Sequence, residues 1–193
     1  MNRIILLLAV VISSQLSTQE KASEPTKETA RVLEDKFTVS LGLRSSEPAT
    51  FGVTIEWKDA KKSFGFNKSS LYEISLGAIS VSNGFETVTG SGFVITSGTK
   101  RFFKKESWKG FYSQNGAEFG YIRFSDVNYT GTYKYISFFN PDLGFKWKVS
   151  KGFSIDPSVG CMWKIEWKGT GDVDNKIFTN FVPKIGLKIG YSF

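Results

Sequence analysis

The chain contains no histidine. That absence removes the Ser-His-Asp hydrolases, the Cys-His proteases and every histidine-ligated metal site, because each needs an imidazole to carry a proton or donate a lone pair near neutral pH. There is one cysteine, Cys161, so no intramolecular disulfide framework can form, and no CxxC or CxxH spacing offers a zinc site. A basic stripe is also missing. The formal charge is +7, but the cations are scattered singly along alternating stretches, which does not suit a nucleic-acid-binding face. The apolar run at residues 4–12 is too short to cross a membrane as a helix.

What the chain has in quantity is aromatic residues and glycine. Phe, Tyr and Trp make up 16 % of its 193 residues, beside 19 Gly, a mixture that suits strands and tight turns better than helices. The clearest stretch is residues 181–193. Every second residue there, Phe181, Pro183, Ile185, Leu187, Ile189, Tyr191 and Phe193, is apolar or aromatic, and those between are small or cationic apart from Val182. A period of two over this length predicts a β-strand with one apolar and one polar face, long enough to cross a bilayer.

At the other end of the chain, Asn2 and Arg3 precede the apolar run, and Ser13, Ser14 and Ser17 follow it. Residues 1–17 therefore read as a secretory signal peptide. Residues 18–35 are polar and of mixed charge, and read as a periplasmic leader without a core of its own.

Alternation begins at Lys36 and predicts eight strands. The first carries Phe37, Val39, Leu41 and Leu43 on one face, the second Phe51, Val53, Ile55 and Trp57, and the third Tyr72, Ile74, Leu76 and Ala78. The fourth, from Phe93, and the fifth, residues 111–124, are ambiguous, since Ser113 and Asn115 fall on the apolar face and Arg101 stands near the end of strand four. The sixth is expected to run unbroken from Tyr133 to Val149, with Tyr133, Tyr135, Phe139, Leu143, Phe145, Trp147 and Val149 on its apolar side. After a turn at residues 150–152 the seventh carries Phe153 through Trp167, and residues 181–193 close the set.

Alternation alone does not say which face looks inward. A soluble barrel around a hydrophobic ligand would put the apolar face inside. Three features favour outside. Glycines such as Gly42, Gly52, Gly144 and Gly186 lie on the polar face, where a narrow barrel is crowded. Aromatic residues gather near strand ends, and Trp57, Tyr133, Trp147 and Trp167 are the expected interfacial girdle. No charge interrupts the apolar face of strands one, two, seven and eight, where a midplane Lys or Arg would cost about 2–4 kcal/mol. The expectation is thus an all-β protein, an eight-stranded antiparallel transmembrane β-barrel over residues 36–193 with a short N-terminal leader and surrounded by outer-membrane lipid. Both termini would be periplasmic, with turns near residues 59–70, 104–110 and 150–152 on that side and loops near 45–50, 83–91, 125–132 and 169–176 outside.

The stretches Gly110-Phe111-Tyr112, Glu118-Phe119-Gly120-Tyr121 and residues 183–193 (PKIGLKIGYSF) resemble the small outer-membrane β-barrel proteins common in Bacteroidetes. The resemblance implies an eight-stranded barrel inserted by the outer-membrane barrel assembly machinery, with Tyr191 and Phe193 serving as its recognition signal. It implies no chemistry and no cofactor.

Glu118, Asp142, Asp156 and Glu166 could be written as acid/base groups. The simpler reading is that they neutralise lysines inside a narrow barrel, because buried charges must be paired. The expected lumen network is Lys146, Lys148, Asp142, Asp156, Lys164, Glu166, Lys184, Lys188 and Glu118. Within it Lys146 and Lys148 should lie near Asp156, Lys184 near Glu166, and Lys188 on the Asp156 side. Asp172 and Asp174 lack the ligand series of a calcium loop, so no metal site is expected. A non-enzymatic structural, adhesion or surface-binding protein is the expected role. A soluble ligand-binding barrel and a narrow pore are the alternatives, and no external ligand is legible.

Overall fold

The structure is a computed structural model that describes residues 36–59, 65–83, 86–104, 108–167, 169–174 and 178–193. The signal peptide and leader expected over residues 1–35 lie outside them, as does Lys168. Ten strands are present among the described residues: β1 (Phe37–Ser45), β2 (Ala49–Lys58), β3 (Asn67–Asn83), β4 (Glu86–Phe102), β5 (Gly110–Ser125), β6 (Thr130–Phe139), β7 (Asp142–Lys148), β8 (Phe153–Glu166), β9 (Thr170–Gly171) and β10 (Phe181–Ser192). β6 and β7 are two halves of one barrel strand, and β9 is a short bridge onto β6. Every neighbouring pair is antiparallel, and β10 pairs back onto β1 from Thr38↔Ser192 to Ser45↔Ile185, closing a ring of eight.

The pairing register gives the shape. From Asn67 the partners run through Phe102, Tyr112, Gly144, Ser158, Gly186, Arg44 and Thr50, and return to β3 at Gly77. One circuit of the ring therefore climbs ten residues. With about 3.3 Å per residue and about 4.8 Å between strands, eight strands at this stagger tilt by roughly 40°.

The apolar face looks outward. Leu41, Leu43, Ile74, Leu76, Val159, Ile185 and Ile189 all stand exposed on the wall, Ile74 at 66 % and Leu76 at 70 %. Thr54, Glu73, Thr96, Lys100 and Asp156, from the alternate positions, are buried inside. This arrangement is the reverse of a soluble core, and it suits hydrocarbon solvent outside with hydrogen-bonded polar groups within. The protein is an eight-stranded antiparallel transmembrane β-barrel.

Along β3 the polarity inverts. From Tyr72 to Ala78 the outward residues Tyr72, Ile74 and Leu76 are apolar, and the inward Glu73 and Ser75 are polar. Above it, Ser80, Ser82, Thr87 and Thr89 face out, while Ile79, Val81 and Val88 are buried. The β3–β4 pairing continues to Asn83↔Glu86, whereas β2 stops at Ala49↔Ala78. The hairpin thus stands clear of the apolar band by five residues, roughly 15 Å. Residues 86–91, expected as loop, are the start of β4. The connection expected over residues 59–70 is shorter too, because β3 begins at Asn67.

Strand six departs most from expectation. It breaks at Asn140-Pro141, and its register shifts between Ile136 and Phe139. Phe138 and Phe139 both point outward, so side-chain parity changes across the bulge. Trp147 and Phe145 keep their expected outward direction. Tyr133 and Tyr135, upstream of the bulge, are turned into the lumen with 0 % exposure. Tyr133 is therefore not a girdle residue. Lys134, between them, lies outside, 5.5 Å over the ring of Tyr121.

Candidate functional site

The barrel end holding Phe37 and Ser192 is termed the near end and the hairpin end the far end. Between them the lumen is filled in three tiers. Charged side chains reach it because β-strand parity sends Arg44, Glu56, Glu73 and Lys100 inward with the threonines and serines of the same strands.

In the near tier, Glu56 accepts from both Lys100 and Lys146 at 3.1 Å and from Ser69 at 2.8 Å. Lys100 also pairs with Asp156, which accepts from the Tyr112 hydroxyl. The Lys100 ammonium sits 4.5 Å from the centre of the Tyr112 ring. Lys148 lines the mouth of this tier beside Thr38, Lys58 and Trp108.

The middle tier centres on Glu118. It receives both arms of the Arg44 guanidinium, at 2.6 and 3.0 Å, and the Tyr135 hydroxyl at 2.7 Å. Thr96 and the Asn140 amide donate to it as well. Alongside, Lys188 pairs with Glu73 at 2.5 Å, and Lys184 pairs with Asp142 at 2.9 Å and donates to Asn140. Space is made by glycine. A Cβ on Gly120 would lie 2.0 Å from the Tyr135 ring, and one on Gly144 would lie 2.2 Å from the Tyr112 hydroxyl.

In the far tier, Lys164 is buried 3.7 Å from Glu166 and 3.8 Å from Glu47, boxed by the rings of Tyr133, Tyr135 and Phe178. The Tyr133 hydroxyl donates to Glu166. Above this lies an apolar cap. Ile79, Val81 and Val88 of the hairpin pack with Ile122, Phe124, Tyr129, Val173 and Phe178, so the far mouth is closed by a small core. In the loop between β5 and β6, the Tyr129 phenol is held above its ordinary range by burial and by the carboxylates of Asp172 and Asp174.

Among the described residues, Arg44, Lys100, Lys146, Lys164, Lys184 and Lys188 thus meet Glu56, Glu73, Glu118, Asp142, Asp156 and Glu166, and Glu47 joins them beside Lys164. The voids left in the near mouth and middle tier are about 10 and 20 Å³. The larger has room for about one water. Among the described residues the arrangement pairs charges and fills space.

Several pairings differ from those expected. Lys146 lies beside Asp156 in register, as expected, but its ammonium donates to Glu56, and Lys100 pairs with Asp156. Lys184 meets Asp142, not Glu166. Lys188 stands opposite Asp156 in register, yet its ammonium reaches Glu73. Strand order alone treats the lumen as a wall, whereas long side chains cross it. Arg44, Glu56, Glu73, Tyr112 and Asn140 were not anticipated as partners, although parity already put the first three on the polar face. Of the remaining girdle residues, Trp57 lies against Tyr72 at 5.3 Å near the near end, Trp147 is on the wall at the same end, and Trp167 packs on Phe119 at the far end. Tyr191 and Phe193 form a near-end aromatic cluster with Phe37 and Phe153. Among the described residues no cluster of carboxylates or cysteine could hold a metal.

No protein-family model and no curated protein matches the chain. Solved structures similar to it include Ail, the attachment invasion locus protein of Yersinia pestis, in complex with the heparin analogue sucrose octasulfate, with 12 % identity over 82 % of this chain and 97 % of that one and a TM-score of 0.46. Ail in a phospholipid bilayer nanodisc is similar at 15 % identity over 83 % of this chain and 100 % of that one, with a TM-score of 0.44.

Proposed function

We propose that the chain is a bacterial outer-membrane protein of the small Bacteroidetes type, with periplasmic termini. In this reading it is neither pore nor enzyme, and it presents its far-end hairpin and loops as a surface-binding or adhesion platform. The observation that carries this is the inversion of polarity at Ala78. Below it the wall is apolar around an ionic interior. Above it the same hairpin is hydroxyl-rich outside and packed on its own apolar cap. A strand pair that leaves the membrane with its own core is a rigid projection, and rigid projections suit recognition.

A soluble ligand-binding barrel would need an apolar interior, and this interior is ionic. A pore would need an open lumen, and the three tiers fill it. Residues 1–17 as signal peptide, residues 18–35 as periplasmic leader, and recognition of Tyr191 and Phe193 by the barrel assembly machinery belong to the same proposal. Cysteine labelling of intact cells tests it, on a Cys161→Ser background. Ser80→Cys should react with a membrane-impermeant maleimide, and Lys151→Cys in the β7–β8 turn should react only after the outer membrane is permeabilised. The reverse pattern would refute the orientation.

A further inference from the structure

The outer wall carries a polar patch in the middle of its apolar band. On β4 and β5, Lys100, Tyr112 and Glu118 are buried in the lumen, so the alternate residues Ser97, Thr99, Ser113 and Asn115 face outward. Register sets their depth. At a tilt of roughly 40°, each residue along a strand rises about 2.5 Å, and each step from β3 to β4 to β5 lifts a paired row by about 3 Å. The four residues then stand roughly 7–15 Å above Phe37, in a band that reaches roughly 26 Å at Ala78. Four strands away, at the same depth, the wall presents Leu41 and Leu187 instead.

The ladder is broken beside this patch. β5 pairs with β7 over Gly110–Gln114 and with β6 over Glu118–Ser125, so among the described residues 115–117 have no strand partner on that edge. Pro141 has no N–H to donate there, and Asn140 N–H turns aside to the Asn115 side chain at 3.2 Å. A groove of about 670 Å³ opens at the break, with Thr99, Ser113 and Asn115 on one bank and Leu143, Val159 and Cys161 on the other. Its charged residues, Arg101 and Asp142, are of opposite sign, and Lys184 holds Asp142 from the lumen side, so the groove selects no ion. Arg101 stands below the patch, toward the near end.

Hydrogen-bonding groups turned toward hydrocarbon are costly, and acyl chains offer them nothing. Water and headgroups lie at the edges of the band, so at this depth the partner has to be another protein wall. We infer that the β4–β5 face is the interface of a homodimer, two copies packed about a two-fold axis along the membrane normal. The patch is complementary to itself, because serine and threonine hydroxyls and the asparagine amide each donate and accept. A two-fold along the normal also brings equal depths together, so Thr99 of one copy would meet Asn115 of the other. Ser97, Ser113 and Ala117 are small, which lets the two walls approach closely. Exposed Phe139 above and exposed Phe111 below supply apolar surface around the polar centre. The inference rests on the membrane reading above and is independent of which end is periplasmic.

The test is disulfide trapping of the folded barrel in lipid vesicles, on a Cys161→Ala background, with copper phenanthroline as oxidant. Heat-modifiable gel migration checks folding of every variant. Thr99→Cys should give a covalent dimer, and Leu41→Cys, at the same depth on the opposite wall, about tenfold less of it. Native mass spectrometry from mild detergent reads the uncrosslinked protein. Thr99→Val combined with Ser113→Ala spares the contact of Asn115 with Asn140 and should lower the dimer-to-monomer ratio about tenfold, as the loss of interfacial hydrogen bonds implies. A folded barrel that stays monomeric, or that is trapped equally through Leu41→Cys, overturns the inference and leaves the membrane reading intact. Capture of a different protein by Thr99→Cys in outer membranes, in place of the dimer, overturns it as well. A chain that shows no heat-modifiable folded form overturns both.

Discussion

Arg44 at the far end of β1 and Glu118 in β5 are 74 residues apart in sequence, yet both guanidinium arms meet the carboxylate across the lumen, at 2.6 and 3.0 Å. Neither strand neighbours the other in the ring, so the pair crosses the interior and ties opposite walls together. A buried pair of this kind is costly to break, because removing one partner strands the other charge. Glu118→Ala should therefore destabilise the folded barrel by about 3–5 kcal/mol. Glu118→Gln, which keeps an acceptor, should cost less. Urea unfolding in lipid vesicles, followed by tryptophan fluorescence, gives both values. Equal midpoints for wild type and Glu118→Ala would contradict the role assigned to the pair.

Gly120 should tolerate no side chain. Its missing Cβ is the space that Tyr135 occupies on the way to Glu118. Gly120→Val should cost about 1–3 kcal/mol by overpacking. Combining it with Tyr135→Ala should recover part of that loss, and strictly additive effects in the double variant would argue against the contact.

The membrane boundary at Ala78 makes a paired prediction on one strand. Ile74→Lys faces lipid and should cost about 2–4 kcal/mol in vesicles. Ser80→Lys, six residues further along the same outward face, should change stability by less than about 0.5 kcal/mol. Similar costs at the two positions would place the boundary elsewhere.

Closure depends on β10. Its last residues pair with β1, Phe193 donates to the Phe37 carbonyl at 2.9 Å, and the Phe193 carbonyl accepts from Lys36 at 2.6 Å. Deleting residues 191–193 removes these bonds together with the near-end aromatic cluster. The truncated chain should accumulate unfolded in the periplasm or be degraded. Recovery of heat-modifiable protein from the outer-membrane fraction at wild-type level would count against it.

Much of the fold was legible wherever strict alternation ran without interruption, as in β1, β2, β8 and β10. Those strands fix the inside and outside for Leu41, Ile55, Val159 and Ile185 without further information. The signal failed where a backbone irregularity resets parity. Tyr133 and Trp147 look equivalent in sequence, but the bulge at Phe138 and Phe139 puts one inside and the other on the wall. Ser113 and Asn115 make strand five ambiguous in sequence, yet both lie on the outward parity opposite the buried Tyr112. For the lumen, membership was partly readable from parity, as with Lys146, Asp156, Lys164 and Lys188. Partner choice was not, because it depends on the ten-residue stagger and on the reach of lysine across a narrow interior.

In the proposed reading, a lumen filled by ion-paired side chains makes this barrel a platform rather than a channel. Planar-bilayer recording of the purified, folded protein tests it most directly. No steady conductance above the bare bilayer is expected, because the middle tier leaves room for about one water. Sustained, porin-like current steps from the same preparation would contradict it.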